Sequence, residues 1–145
     1  MPRLIDGDNL LGTWPGRRRT AGERRELARE VFRWAAGKRG RTVLVFDGSP
    51  PHEKPPHHDV VFSGGGRSAD DWIVEHVKRQ ANPGAWLVVT SDRALGDRCR
   101  HAGARVQRCD EFRPTLRQPN KDKPTGPVDI GEWQRYFDGS KDETP

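Results

Sequence analysis

Short apolar runs alternate with segments of helical periodicity along most of this chain, and this alternation constrains its fold more than any other feature. The runs at 3–5, 42–46 and 86–89 are short and almost continuously apolar, as in strands that are covered on both faces. The segments between them carry apolar residues at helical spacing. Strands that alternate with helices form parallel sheets with right-handed crossovers. We therefore predict a doubly wound α/β domain with a mostly parallel central sheet.

Aspartates follow three of these predicted strands and also begin one predicted helix. Because the carboxyl ends of parallel strands meet at one edge of a sheet, these carboxylates should lie close together. Their mutual repulsion is usually relieved by a hard divalent cation, which prefers oxygen ligands. The pattern therefore predicts a metal-dependent site at this edge of the sheet. The aspartates are Asp6 and Asp8, Asp47, Asp70 and Asp71, and Asp92.

The charge of the chain indicates the kind of partner. The 145 residues carry a net charge of +5 and a sequence pI of about 9.7, although only 32% of them are hydrophobic. A basic balance of this kind favours nucleic acid or another polyanion, whereas simple solubilisation by arginine is the alternative. The two cysteines match neither a zinc motif nor a disulfide framework, which is typical of a reducing compartment.

The predicted location is cytoplasmic. We see no apolar leader before the first strand and no apolar stretch near the roughly 20 residues that span a bilayer, so we expect no membrane association.

Capping signals and a change of composition define the organisation of the chain. Thr20 with Glu23 forms a capping box, and Ser68 is predicted to cap a second helix with Asp71 at N3. The segment GDNLLGTWPG after the first strand is predicted to be a loop. We assign residues 1–112 to the folded domain. Residues 113–145 form a tail rich in proline and basic residues, which begins as an extended linker. A short helix is predicted at 129–137, and we expect it to dock on its own domain, with a partner as the alternative.

Four segments carry a resemblance to a known family. DGDN, FDG, GRSADDWIVE and TSDRAL, in this order and spacing, resemble the YacP-like branch of the NYN domain, within the PIN-like nuclease superfamily. The similarity covers residues 1 to about 112. It implies a three-layer α/β/α PIN-like fold, dependence on Mg²⁺ or Mn²⁺, and hydrolysis of RNA phosphodiester bonds. Whether this (endo)ribonuclease cuts within the strand or from its ends stays open.

The resemblance also implies a set of site residues. Asp6 and Asn9 match the ends of the family's DGYN, Asp70 matches its Thr-Ala-Asp, and Asp92 matches its TSD. These four are the predicted catalytic residues, with the aspartates as metal ligands and Asn9 orienting the ion or a phosphate. Further candidate ligands are Asp47, Asp8 and Asp71.

The choice between the two adjacent aspartates stays open at this point. The family commonly has Glu four residues after its Asp, whereas Glu75 lies five after Asp70 and four after Asp71. We assign metal binding to Asp70 and helix capping to Asp71. The alternative for every acidic cluster is turn or cap formation, since Asp, Gly and Asn are common in turns and Asp is a good N-cap.

Basic and polar residues near the acidic motifs are predicted to bind the phosphates of the substrate. Their alternative role is a solvated surface. They are Arg17, Arg18, Arg19, Arg67, Ser91 and Arg93. A transition-metal site is disfavoured for His52, His57 and His58, because they lie in a proline-rich loop without helical or strand spacing.

The predicted function is a metal-dependent ribonuclease with RNA as its partner, and association with the ribosome is left open. One alternative is a non-catalytic RNA- or ribosome-binding module on the same fold. Another is a metal-dependent phosphatase, suggested by the Asp6-Gly7-Asp8 pair after a strand. The phosphatase pattern expects Thr or Val soon after the second Asp, where Asn9 stands instead.

Overall fold

A computed structural model of the protein describes residues 1–116, so the helix predicted at 129–137 lies outside the described residues. The strands are β1 (Arg3–Asp6), β2 (Thr42–Phe46), β3 (Val60–Phe62), β4 (Leu87–Val89) and β5 (Arg105–Gln107). The α-helices are α1 (Gly7–Gly12), α2 (Ala21–Ala35), α3 (Ala69–Lys78), α4 (Arg93–His101) and α5 (Cys109–Leu116). A single 3₁₀ turn (Pro83–Ala85) precedes β4.

The five strands form one parallel sheet in the order β3-β2-β1-β4-β5. In the centre of the sheet, Ile5 lies beside Leu44 on one side and Val89 on the other. After β1 the chain adds β2 and β3 on one side of it. The chain then crosses over and adds β4 and β5 on the other side. The gap between β1 and β4 is therefore the topological switch point, where α/β proteins place their ligands.

Two apolar layers cover the sheet. Successive residues of β1 face opposite sides, so Leu4 packs with α3 and α4, whereas Ile5 packs with α1, α2 and α5. Both side chains are fully buried. The arrangement is a three-layer α/β/α fold with a parallel central sheet, which confirms the predicted fold class.

The predicted helix caps are confirmed. The hydroxyl of Thr20 accepts a hydrogen bond from the Glu23 N–H at 3.1 Å, and the hydroxyl of Ser68 accepts one from the Asp71 N–H at 3.1 Å. Gly103 follows α4 with a φ of 103°, a conformation that favours glycine at the end of a helix. Local sequence signals thus set where these helices begin and end.

The predicted loop after β1 is wrong for its first part, because residues 7–12 form the helix α1. Leu10 and Leu11 are both fully buried against the α2 side of the sheet. Burial of these two side chains stabilises a helical turn that the Gly, Asp and Asn of this segment do not favour by themselves.

The predicted extended linker from Arg113 is also wrong at its start, because α5 continues past the predicted boundary at 112 to Leu116. Phe112 is buried against the same layer as α1 and α2, and Leu116 packs against that layer. Among residues 1–116, no helix combines the length and the apolar character that crossing a bilayer requires.

Gly7 is predicted to be required for the junction between β1 and α1. A Cβ atom on Gly7 would clash with the ring of Phe46 and would lie 3.0 Å from the carbonyl oxygen of Val45. Phe46 is fully buried and has no room to move. We expect Gly7→Ala to lower the free energy of unfolding by about 1–3 kcal/mol, as overpacked cores do.

Urea denaturation would measure this effect, with Gly22→Ala as the matched control. A Cβ on Gly22 meets no atom within 4 Å. The control should therefore be neutral or slightly stabilising, since Ala favours helix more than Gly. Equal stability of Gly7→Ala and the wild type would contradict the close packing at this junction.

Candidate active site

A cavity of about 370 Å³ opens at the carboxyl edge of the sheet, beside the switch point between β1 and β4. We call it the acid cavity. It combines carboxylates from four separate parts of the chain with two guanidinium groups. Its lining residues are Asp6, Asp8, Asn9, Arg19, Arg24, Asp47, Ala69, Asp70 and Asp92.

Asp6 is the most buried acid of this cavity, with 4% of its surface exposed at the end of β1. Burial raises the pKa of Asp6 to about 7, a hydrogen bond from the hydroxyl of Thr90 at 3.0 Å opposes this rise, and the charge of Asp70 adds to it. A carboxylate that is this hard to ionise in the free protein is one that a bound cation would stabilise strongly.

Asp70 and Asp92 face the same cavity from the first turns of two helices. Burial raises the pKa of Asp70, and the nearby charge of Asp92 raises it further. Asp92 is the N-cap of α4, where its carboxylate accepts a hydrogen bond from the Leu95 N–H at 3.2 Å. The capping role and the place in the cavity therefore coexist in one side chain, because the cap engages only one of its two oxygens.

Within the part of the chain that the structure describes, these three carboxylates lack an ion-pair partner. Within residues 1–116, no ion pair joins Asp6, Asp70 or Asp92 to a basic side chain. Asp8 and Asp71, by contrast, are paired with Arg24 and Arg98. The cavity thus concentrates negative charge that the described side chains leave uncompensated.

Asn9 connects the end of β1 with the segment that follows β4 through hydrogen bonds of its side chain. Its Oδ1 atom accepts hydrogen bonds from the Ser91 N–H at 2.7 Å and from the thiol of Cys109 at 3.3 Å. Because the backbone N–H of Ser91 identifies this end of the amide as the oxygen, the NH₂ end of Asn9 remains to donate to an anion in the cavity.

Asp8 and Asp47 connect the elements around the acid cavity through hydrogen bonds. The carboxylate of Asp8 forms a bidentate pair with Arg24, at 2.9 Å for both contacts, and also accepts the Asp47 N–H at 2.8 Å. The carboxylate of Asp47 accepts the Ala69 N–H at 2.8 Å, which ties the end of β2 to the start of α3. Arg24 occupies Asp8, which makes it a weaker candidate for a ligand than Asp6, Asp70 and Asp92. Asp47, like Asp92, accepts one backbone N–H and forms no ion pair within residues 1–116, so it stays a further candidate ligand.

Arg24 is a site residue that the sequence analysis missed. It lies one turn after the Thr20 cap, and its salt bridge with Asp8 is formed by residues 16 positions apart. The capping box placed the start of α2, but nothing in the local pattern indicated which side of the helix faces the carboxyl edge of the sheet.

The structure keeps Asp71 out of the acid cavity. Asp71 is exposed and pairs with Arg98 at 3.0 Å, on the outside of α3. Glu75 pairs with Arg67, so neither of these two lines the cavity. The geometry therefore places Asp70, not Asp71, among the converging carboxylates.

The arginines predicted to bind phosphate separate into different environments. Arg17 is held by Glu23 and Glu30, both at 3.0 Å, and lies over the ring of Trp14, which is buried. Arg19 is exposed and lines the acid cavity. These contacts give Arg17 a structural role and leave Arg19 as the member of its run beside the acids.

The other predicted contacts lie around the cavity. Arg18 is exposed and is absent from its lining. Arg93 is exposed in an adjoining groove that shares Asp92 with the cavity. The hydroxyl of Ser91 accepts a hydrogen bond from the Cys109 N–H at 2.9 Å, and this bond fixes the start of α5.

The donor set of the acid cavity fits Mg²⁺ or Mn²⁺. It is made of carboxylate and amide oxygens, and it contains no thiolate or imidazole among its lining residues. The ligand atoms of Asp6, Asp70 and Asp92 do not all lie within 4.8 Å of one another.

A second group of possible ligands lies in the proline-rich loop. Within residues 1–116, His57, His58 and Asp59 form the one trio whose ligand atoms all lie within 4.8 Å of one another, and His52 does not belong to it. Arg41 already binds the Asp59 carboxylate at 2.8 Å. The Nδ1 atom of His57 accepts the Asp59 N–H at 3.0 Å, so only part of this trio is free to bind a metal.

Comparisons with known proteins agree with this fold. The family model of the YacP-like NYN domain matches residues 3–132. Two crystal structures of Rae1 (YacP) from Bacillus subtilis share the fold. The structure of a point mutant is 22% identical, with a TM-score of 0.68, and the similarity covers 80% of this chain and 75% of that one. The other structure is 21% identical, with a TM-score of 0.67, and the similarity covers 80% of this chain and 73% of that one.

No curated protein sequence matches the chain significantly. The family match nevertheless covers most of the chain, and the fold agrees with it. The chain therefore belongs to the YacP-like NYN domain family, a family of the nuclease type.

Proposed function

We propose that the protein is a divalent-metal-dependent ribonuclease that cuts RNA phosphodiester bonds internally. One observation carries the proposal. Asp6, Asp70 and Asp92 come from three separate elements, converge on one cavity at the switch point of the sheet, and have no cationic partner among the described residues. Uncompensated carboxylates at this place are costly for folding, which is expected where they serve to bind a cation.

Asp6, Asp70 and Asp92 would hold one or two Mg²⁺ or Mn²⁺ ions. Such an ion lowers the pKa of bound water and stabilises charge on a transferring phosphate. Asn9 donates its NH₂ group to a phosphate oxygen, and Ser91 keeps this amide in place through its backbone N–H. Arg24 forms an ion pair with Asp8, which limits the repulsion that Asp6 experiences from the Asp8 charge.

RNA is the substrate that we propose, either free in the cytoplasm or bound in the ribosome. The support is the net charge of +5, the nuclease-type family, and the exposed Arg19 and Arg93 beside the carboxylates. Guanidinium groups at the rim would attract the phosphate backbone and hold neighbouring phosphates while the carboxylates face the bond to be cut.

The phosphatase alternative is weakened by the position of Asp8. A phosphatase of the Asp-x-Asp type needs this second carboxylate to exchange a proton with the substrate. Here Arg24 binds both of its oxygens at 2.9 Å, and the Asp47 N–H occupies one of them as well. Both oxygens of this carboxylate are therefore occupied by donors, which leaves it poorly placed to meet a substrate.

Cleavage of labelled single-stranded RNA in Mn²⁺, Mg²⁺ or EDTA tests the proposal. We expect cleavage with either ion and none in EDTA. The cleavage rate of Asp92→Asn should be about 100-fold lower than that of the wild type, because the variant removes a charge from the proposed ligand set. Asn is a good N-cap, so the variant should keep α4. Asp97→Asn is the matched control on the same helix, because Asp97 is exposed and pairs with Arg100.

Together with RNA binding and hydrolysis of a small phosphoester measured in parallel, this experiment distinguishes a ribonuclease from an RNA-binding module and from a phosphatase. Equal cutting by Asp92→Asn and the wild type would remove Asp92 from the site. RNA binding without cutting, indifferent to EDTA and equal in all variants, would overturn the ribonuclease proposal in favour of a binding module. Hydrolysis of a small phosphoester but not of RNA would favour the phosphatase.

A further inference from the structure

A second cavity, of about 330 Å³, lies between α2 and the loop that connects β2 with β3. We call it the proline pocket. Phe46, Val60 and Phe62 form an apolar surface on one side, and Pro55 and Pro56 of the loop form part of the opposite wall. Its walls are mostly apolar, which is the usual character of a site for a flat organic group.

The proline pocket exists because the edge of the sheet is only partly covered. β3 is an edge strand, and Val60 and Phe62 are only half-buried. The loop closes over them and is fixed to α2 at two points. Arg25 donates a hydrogen bond to the carbonyl of Lys54 at 3.1 Å, and the ring of His57 stacks on Phe32 at 3.9 Å. These contacts keep the pocket open in a defined shape.

The proline pocket adjoins the acid cavity. Arg24 lines both cavities. Its guanidinium group lies 5.3 Å from the centre of the Phe46 ring, and it binds Asp8 in the acid cavity. A nucleotide whose phosphate lies at the carboxylates would therefore have an apolar pocket next to it, with the Arg24 side chain lining both.

The chemistry of the proline pocket matches that of a nucleobase. The half-buried ring of Phe62 and the proline and valine side chains of the lining suit the flat face of a base, and single-stranded RNA is usually recognised by such contacts. Ser49, Glu53 and Arg25 add a few polar groups that could read the edge of the base. A pocket of this size accommodates a base with its sugar, since ligand sites commonly measure about 300–1,000 Å³.

We propose that the proline pocket receives one nucleobase of the RNA strand whose phosphodiester lies in the acid cavity. The pocket then gives the enzyme a preference among bases at a fixed position next to the cut. This inference rests on the proposed ribonuclease function, because it takes the position of the strand from the acid cavity.

Filling the pocket tests this inference. Gly22 lines the pocket, and a Cβ there meets no atom within 4 Å, so Gly22→Leu should fold while occupying part of the space. Gly22→Ala is the matched control that leaves the pocket open. The four nucleoside monophosphates are titrated in EDTA and followed by NMR, and cleavage is compared on RNAs that differ in a single base. Ser49→Leu fills the pocket from the loop side if Gly22→Leu does not fold.

We expect Gly22→Leu to weaken binding of the preferred nucleotide about tenfold and to flatten the base preference of cleavage, whereas Gly22→Ala behaves as the wild type. If the wild type cuts RNA and both variants cut it with the same preference, the base site is wrong while the ribonuclease stands. If no protein cuts RNA but nucleotide binding is lost only in the filled variants, the base site stands and the ribonuclease proposal fails.

Discussion

Replacing Asp70 by Asn is expected to reduce RNA cleavage at least about 100-fold, because it removes a ligand charge that contributes several kcal/mol to the transition state. Replacing the adjacent Asp71 by Asn should leave cleavage nearly unchanged. Asp70 lines the acid cavity together with Asp92, whereas Asp71 points outward and pairs with Arg98 on the surface. An exposed pair of this kind contributes little to stability.

The two variants control for each other. Each replaces one carboxylate by an amide in the first turn of α3, and the Ser68 cap is present in both. Initial rates on one labelled RNA in Mn²⁺ give the comparison, and melting curves show that both variants are folded. A loss of cleavage in Asp71→Asn with activity kept in Asp70→Asn would reverse the assignment of the ligand.

Replacing Asp6 by Asn is expected to abolish cleavage and yet to stabilise the metal-free protein at pH 8. Burial raises the pKa of Asp6 from its ordinary value of 3.8 to about 7, so the free protein ionises this group at a cost. Each pKa unit corresponds to about 1.4 kcal/mol, and we expect roughly 2–4 kcal/mol in favour of the variant. The amide oxygen of Asn can still accept the hydroxyl of Thr90.

The sign of the pH dependence follows from proton binding. Between pH 4 and 7 the folded state holds a proton on Asp6 that the unfolded state has lost, because the pKa is about 7 in the folded state and 3.8 in the unfolded chain. The Asp6 contribution to stability therefore falls as the pH rises through this window and is constant above it. Asn carries no such proton, so the advantage of the variant is absent below pH 4 and complete above pH 7.

Urea denaturation in EDTA at pH 4, 6 and 8 measures the difference directly. Adding Mn²⁺ at pH 8 should then stabilise the wild type and leave Asp6→Asn unchanged, since a ligand that binds the folded state alone shifts the equilibrium toward it. A variant that is less stable than the wild type by the same amount at all three pH values would contradict the raised pKa of Asp6.

Local sequence signals were sufficient for the sheet, the main helices and the convergence of the acids. The continuous apolar run at 42–46 can only be satisfied by a strand that is covered on both faces, and all five of its residues are buried. Thr20 and Ser68 mark helix starts through hydrogen bonds to residues three positions on, which depend on short-range geometry alone. A parallel sheet then requires that Asp6 and Asp92 emerge at the same edge.

Tertiary structure alone decided which polar groups of the site are free and which are occupied. Asp8 is neutralised by Arg24, Arg17 is bound by two glutamates, and Asp71 is turned toward Arg98, whereas Asp6, Asp70 and Asp92 remain unpaired within the described residues. These pairings join residues that are distant in sequence, and they depend on how helices rotate and pack on the sheet. The types and order of the residues therefore determined the edge where the site forms. The packing of the helices determined which of its carboxylates are left without an ion-pair partner among the described residues.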